Sequence, residues 1–228
     1  MRIFTIGDLH LSGGDDKPMD VFGSHWENHF ERIKADWTSK IQPNDLVLIP
    51  GDISWAMAFE NALPDLFAIG RLPGKKVLLR GNHDYWWPGI GQLRSALPQG
   101  MYALQNDALR FEDVTVCGSR LWLLPALHTA KDDKKIYDRE LIRLRLSLES
   151  AQKLGGRMIV MTHYPPASEE GTANEVTRLI AEFGVQSVVY AHLHGPACKK
   201  AFCGKIDGIP YHCVSCDFLN FKVHEIQL

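Results

Sequence analysis

The sequence predicts an α/β layered fold with largely parallel central strands. Three observations lead there: apolar runs of four to seven residues recur along the chain, amphipathic stretches separate them, and the two alternate through residue 190. The runs are residues 2–6, 46–49, 77–79, 114–117, 158–161 and 188–190. They are too short for helices and apolar on both alternating faces, as strands covered on both sides are. Residues 25–40, 59–69, 136–154 and 174–183 carry apolar side chains three and four apart and read as helices. The third is the most regular, with Ile136, Leu141, Leu144, Leu148 and Ala151 on one stripe, Glu140 and Arg143 opposite, and Gly155-Gly156 as its stop. The tail changes character. Residues 211–217 and 221–226 read as short strands with only Phe218-Leu219-Asn220 between them, too little for a helix, so an antiparallel edge or a second sheet is expected. No repeat, low-complexity tract or linker divides the chain, which reads as one domain over residues 1–228.

Composition narrows the function classes. Twenty-five Lys plus Arg against 27 Asp plus Glu give a formal charge of −2, so no global positive field exists to hold a polyanion, and no Lys/Arg stripe offers a track for a nucleic-acid strand. Residues 131–135 are no such stripe, with two Asp among their lysines. No apolar run approaches the roughly 18 to 20 residues of a spanning helix. Five cysteines, at 117, 198, 203, 213 and 216, are an odd number in a chain large enough to bury a core without staples, and a cytoplasmic location is expected.

The chemistry follows the strands. After the first comes Gly7-Asp8-Leu9-His10, after the second Gly51-Asp52, and after the third Gly81-Asn82-His83-Asp84. Thr162-His163-Tyr164-Pro165-Pro166 follows the strand at 158–161, and Ala191-His192-Leu193-His194-Gly195 the strand at 188–190. Carboxyl ends of strands form the rim where ligands bind in open α/β sheets. Gly-Asn-His-Asp is expected by chance about once in a thousand chains of this length, so it weighs far more than Asp-x-His or His-x-His alone. Carboxylate, imidazole and carboxamide without thiolate suit Mn, Fe, Zn, Co or Ni. Seven such groups exceed one ion's share, and two ions sharing a carboxylate clamp both oxygens of an in-line displacement at phosphorus.

These motifs resemble the calcineurin-like metallophosphoesterase superfamily, whose pattern is Asp-x-His, Gly-Asp, Gly-Asn-His-Asp or -Glu, His, and Gly-His-x-His; the match spans residues 7–195. The resemblance implies an α/β/β/α sandwich of two mixed sheets with a dinuclear metal site at the carboxyl ends of the strands. It assigns Asp8, His10 and His194 to one ion, Asn82, His163 and His192 to the other, and Asp52 to both. A metal-bridging hydroxide would attack the phosphorus. His83 would face the scissile phosphate as charge stabiliser or proton donor, with Asp84 orienting its imidazole. The implied activity is hydrolysis of a small phosphoester, a diester slightly favoured and nucleotides included. A phosphomonoesterase of the same fold and a catalytically silent scaffold are the alternatives.

Two departures from the pattern limit what carries over, the second far more than the first. Ala191 stands where the pattern has Gly, and Gly51-Asp52 continues as Ile53-Ser54-Trp55 without the Asp-Arg-Gly of the protein Ser/Thr phosphatases, which disfavours phosphoprotein substrates. Arg80 matches that branch, and Arg120 ends the strand at 114–117; both are candidate phosphate contacts. Trp55 and Trp86, with Trp87, are candidates for stacking a base or aryl group at the rim. His25 and His29 share a helix face by spacing, but Glu27 is misplaced for a zincin, so they read as solvent-facing. Cys198, Cys203, Cys213 and Cys216 read as buried reduced thiols, because 213 and 216 fall on opposite faces of a strand through 217. Substrate, metal pair and oligomeric state stay open in the sequence.

Overall fold

The computed structural model describes residues 1–13, 19–126 and 130–228. In chain order its elements are β1 (Ile3–Thr5), α1 (His29–Lys40), β2 (Leu46–Ile49), α2 (Phe59–Gly70), β3 (Lys75–Leu79), α3 (Ile90–Ala96), β4 (Met101–Leu104), β5 (Ala108–Phe111), β6 (Val114–Ser119), α4 (Lys131–Leu154), β7 (Arg157–Thr162), α5 (Glu175–Glu182), β8 (Ser187–Tyr190), β9 (Gly204–Ile206), β10 (Ile209–Cys213) and β11 (His224–Ile226).

The strands form two mixed sheets. One has the order β11-β1-β2-β3-β4, parallel except for β11 at its edge. The other runs β5-β6-β7-β8-β10-β9, parallel inside with antiparallel β5 and β9 at the two edges. Alternation of side chains along each strand produces three apolar layers. Phe4, Val47, Ile49 and Leu78 meet Ile33 and Trp37 of α1, Leu66 and Ile69 of α2 and Leu93 of α3. Ile3, Leu46, Leu48 and Val77 face the second sheet's Val114, Val116, Ile159, Met161 and Val189. Val160 and Val188 meet Leu144 and Leu148 of α4 and Val176 and Ile180 of α5. The architecture is therefore α/β/β/α, as the resemblance implied.

Several elements differ from the sequence reading. α4 starts at Lys131, ahead of the apolar stripe, because Asp132 and Asp133 sit favourably at the positive end of the helix dipole and Asp133 accepts from Trp122 Nε1 at 2.9 Å. α1 starts at His29, after a separate 3-10 turn at Ser24–Trp26 that holds His25, so the two histidines do not share one helix face. β10 ends at Cys213, which removes the premise of the parity argument for Cys213 and Cys216. Both are buried all the same, Cys216 donating to Asp8 O at 2.9 Å, whereas Cys203 is exposed rather than buried.

The sheets are tied to each other at the rim. Gly7, just past β1, donates to Val214 O at 2.7 Å and accepts from Cys216 N at 3.0 Å, joining the first sheet to the segment that leaves β10 in the second. A Cβ at Gly7 would lie 2.7 Å from the Ala191 methyl, so the Ala191 departure is accommodated by a glycine on the facing loop.

Candidate metal centre

Loops after β1, β2, β3, β7 and β8 converge on one point between the sheets. The loops after β1 and β2 run side by side: Asp8 N, His10 N and Leu11 N donate to the carbonyls of Gly51, Asp52 and Ile53 at 3.0, 2.9 and 3.0 Å. Asp8, His10, Asp52 and His192 all have φ between 45° and 76°. Left-handed backbone costs a non-glycine residue on the order of 1 to 3 kcal/mol, and its concentration at four candidate ligands marks the strain typical of functional loops. Gly81 is required by the same crowding, since a Cβ there would sit 2.1 Å from Asp52 Oδ1.

Donor atoms gather in two groups. Asp8, His10 and His194 form one, and Asp52, His163 and His192 the other, each with its ligand atoms within 4.8 Å of one another. In the first group His10 Nε2 and His194 Nε2 are 3.1 Å apart, and His194 Nε2 is 3.6 Å from Asp8 Oδ2. In the second, Asn82 Oδ1 lies 2.7 Å from His163 Nε2 and 2.9 Å from His192 Nδ1. Asp52 Oδ2 reaches both groups, at 3.4 Å from His163 Nε2 and 3.8 Å from His10 Nε2. All seven residues singled out in the sequence are thus brought together.

The donor set fits divalent cations. Atoms bound at about 2.1 Å to a shared ion lie roughly 3 Å apart, the spacing seen within each group. Among the described residues Asp8 Oδ1 is buried without a hydrogen-bond partner, with His163 Nδ1 3.7 Å away, and a carboxylate oxygen so placed favours a cation beside it. Burial pushes the Asp8 carboxyl up to about 6 and the His10 and His192 imidazoles down to about 3. Those two imidazoles are thereby neutral, the state a metal needs, whereas against burial the carboxylates of Asp52 and Asp8 push His163 up to about 9 and those of Asp8 and Asp217 raise His194. Burial opposes ionisation of Asp52 as well, but the adjoining His163 and His10 outweigh it and hold that carboxyl below the usual range. His163 Nδ1 faces Pro50 O at 2.9 Å and His194 Nδ1 faces Asp217 Oδ1 at 3.0 Å, which turns each Nε2 toward the centre.

His83 stands at the mouth of this centre. Its backbone N–H donates to Asp52 Oδ1 at 2.8 Å, while its half-buried ring lies 4.7 Å from the Trp55 ring and 5.8 Å from that of His10. Asp84 is placed differently from the sequence reading. Its carboxylate turns into the core and accepts from Ile53 N at 2.8 Å, Ser54 N at 3.3 Å, Gly81 N at 2.7 Å and Trp86 Nε1 at 3.0 Å. Among the described residues no hydrogen bond joins it to the His83 ring. It holds the loops after β2 and β3 together instead. Asp84→Asn is therefore expected to destabilise the fold by about 3 kcal/mol, because an amide has one acceptor oxygen for four donors; chemical denaturation measures it. Loss of turnover at unchanged stability would restore the ring-orienting role.

The remaining candidates divide. Trp55 stacks on His10 with ring centroids 4.7 Å apart and interplanar angle 23°, at the edge of a cleft of about 330 Å³. His83, His194, Trp26, Met19 and Phe22 also line that cleft. Trp86 corrects the rim expectation: it is 1% exposed and Trp87 6%, both core residues, Trp86 drawn inward by the Asp84 carboxylate. Arg80 and Arg120 line a different cavity, at the ends of β3, β4 and β6. Sequence reasoning missed Asp217, Trp26 and Tyr164, whose ring lies 4.0 Å from that of His192. Tyr164 lies in the Thr162-His163-Tyr164 stretch, where only the histidine was singled out, and Asp217 reaches His194 from 23 residues away.

A family model, calcineurin-like phosphoesterase, matches residues 1–196. The chain belongs to this family. No curated protein matches it in sequence. Among solved structures it is similar to a phosphopantetheinyl hydrolase, PptH, of Mycobacterium tuberculosis, with TM-score 0.55 and 13% identity over 94% of this chain and 89% of that one. It is also similar to the protein AQ665 of Aquifex aeolicus, of unknown function, with TM-score 0.51 and 13% identity over 98% and 95% of the two chains. A third is GAP50 of Plasmodium, the anchor in the inner membrane complex, with TM-score 0.53 and 12% identity over 94% and 71%. At these identities the likeness is one of fold. Among the described residues no helix is long and apolar enough to cross a membrane.

Proposed function

We propose that this metallophosphoesterase hydrolyses small phosphodiesters at a dinuclear centre held by Asp8, His10 and His194, by Asn82, His163 and His192, and by Asp52 in common. The observation that carries the reading is Asp52 Oδ2 lying within 3.4 and 3.8 Å of imidazole nitrogens from both donor groups. Two bound divalent ions, manganese among the candidates, supply Lewis acidity toward the phosphoryl oxygens and lower the pKa of water. The chain's own residues do the rest. Asp52 and Asp8 hold negative charge at the centre and His163 and His194 are fixed by Pro50 O and Asp217. A ring nitrogen of His83 delivers a proton to the leaving oxygen or, as imidazolium, offsets charge developing on the phosphate.

Diester preference rests on charge at phosphorus. A dianionic monoester calls for cations beyond the two metals, and among the described residues no arginine or lysine lines the aromatic cleft beside His83. Trp55 and Trp26 there suit an aryl group or a base, and stacking is worth about 1 to 3 kcal/mol per base. The five free thiols fit a reducing, cytoplasmic setting. With manganese, kcat/KM is expected to be higher on an aryl phosphodiester than on the matching monoester, with Trp55→Ala lowering the diester value and no useful activity on phosphoserine peptides. A monoester advantage of about tenfold or more would overturn the preference, and no turnover on either ester, nor on nucleotides or a phosphopantetheinyl ester, would leave a silent scaffold.

A further inference from the structure

The cavity that holds Arg80 and Arg120 has a chemistry of its own. The ends of β3, β4 and β6 and one stretch of α4 enclose about 330 Å³, lined by Arg80, Arg120, Arg139 and Arg143 against a single carboxylate, Glu140. Glu140 is 1% exposed and its Oε1 lies 2.6 Å from Arg143 Nη1 and 3.7 Å from Arg120 Nη2. Arg80 Nε donates to the backbone carbonyl of Asp84 at 3.2 Å. Among the described residues no carboxylate pairs with Arg80 or Arg139. Among the described residues the four arginines of the lining have one carboxylate beside them, that of Glu140, an excess of positive charge.

Exposed arginines are common, and most carry no function. Arg120 and Arg143 differ in being held in a concavity. The Arg120 side chain is 19% exposed, with its guanidinium 4.8 Å above the Trp122 ring, and Arg143 is fixed by the buried Glu140. Guanidiniums immobilised before binding lose little entropy on meeting a phosphate, which their planar forks match. The cavity also shares its frame with the metal centre. Arg80 directly precedes Gly81-Asn82, and the Arg120 carbonyl accepts from His163 N at 3.2 Å and Tyr164 N at 2.9 Å.

We infer that this arginine cavity binds a phosphate group, carried by the substrate in addition to the ester that is cleaved. The substrate assignment rests on the phosphodiesterase reading; anion binding by the cavity does not. The substrate class becomes a phosphodiester bearing a second, terminal phosphate, held by Arg120, Arg139 and Arg143 while the scissile group lies at the metal ligands.

Two arms of one experiment test this. In the first, sulfate is titrated into the full-length, manganese-free protein as isolated, and arginine Nε–H signals are followed by NMR. The Arg120 and Arg143 signals are expected to move along one saturating isotherm, abolished by Arg139→Glu and weakened by Arg143→Lys, which keeps Glu140 paired. Unmoved arginine signals, or an isotherm indifferent to both substitutions, would overturn the site. In the second, manganese-loaded protein is given aryl phosphodiesters of α,ω-diols of increasing length, ending in a hydroxyl or a phosphate. One length of the phosphate-terminated series is expected to show a KM about tenfold lower than its hydroxyl partner, the advantage vanishing in Arg139→Glu while the hydroxyl series is unchanged. Sulfate binding without any such advantage would mean that the cavity takes a free anion and would overturn the substrate class. No turnover in either series would remove the phosphodiesterase reading and the substrate class with it, while the sulfate isotherm alone decides the cavity.

Discussion

Replacing Asp52 with alanine is expected to release both metal ions, not one. Its Oδ2 is the atom within 3.4 Å of His163 Nε2 in one donor group and 3.8 Å of His10 Nε2 in the other. Removing it also strips one of two carboxylates from a pocket of four imidazoles, so the cation loses charge compensation along with a ligand. The loss of affinity should exceed the roughly 10- to 100-fold seen when only an outer partner of a ligand is removed. Asn82→Ala makes the contrast, because among the described residues Asn82 Oδ1 meets His163 and His192 of one donor group, and one ion should stay. Elemental analysis of manganese-loaded protein after gel filtration reads both. Two tightly held ions in Asp52→Ala would remove the shared carboxylate from the account.

His83→Ala is expected to keep both ions and lose turnover by roughly 10² to 10⁴, the range for a positioned proton donor or charge stabiliser. The separation is possible because His83 holds Asp52 through its backbone N–H, at 2.8 Å, and not through its ring. Truncating the ring leaves that bond in place. Burial lowers the ring's pKa, with Asp52 offsetting part of that effect. Loss of metal in this variant would make His83 a ligand, and unchanged turnover would take it out of the chemistry.

The ligands were legible in the sequence because each follows a strand buried on both faces, where a continuous apolar run gives way abruptly to Gly-Asp, Gly-Asn-His or His-x-His. The same logic hid β4 and β5. Tyr102 in β4 is 38% exposed and β5 reads Ala-Leu-Arg-Phe with one buried residue, so neither stands out as an apolar run. Asp84 and Trp86 show the limit of adjacency along the chain. Both follow His83 closely, yet the tight turn sends the Asp84 carboxylate inward to three backbone N–H groups and Trp86 after it, while His83 faces the cleft. Asp217, which faces His194 Nδ1 at 3.0 Å, sits in the tail between β10 and β11, where no motif marks it. The arginine cavity is a tertiary product, since Arg80, Arg120 and Arg139 arrive from three separate elements.

The proposed centre stands or falls with two divalent ions sharing Asp52. Anomalous diffraction from crystals of manganese-loaded protein tests it most directly. Two peaks are expected about 3.5 to 4 Å apart, one beside Asp8, His10 and His194 and the other beside Asn82, His163 and His192, with Asp52 between them. A single peak, or two that do not both contact Asp52, would contradict it.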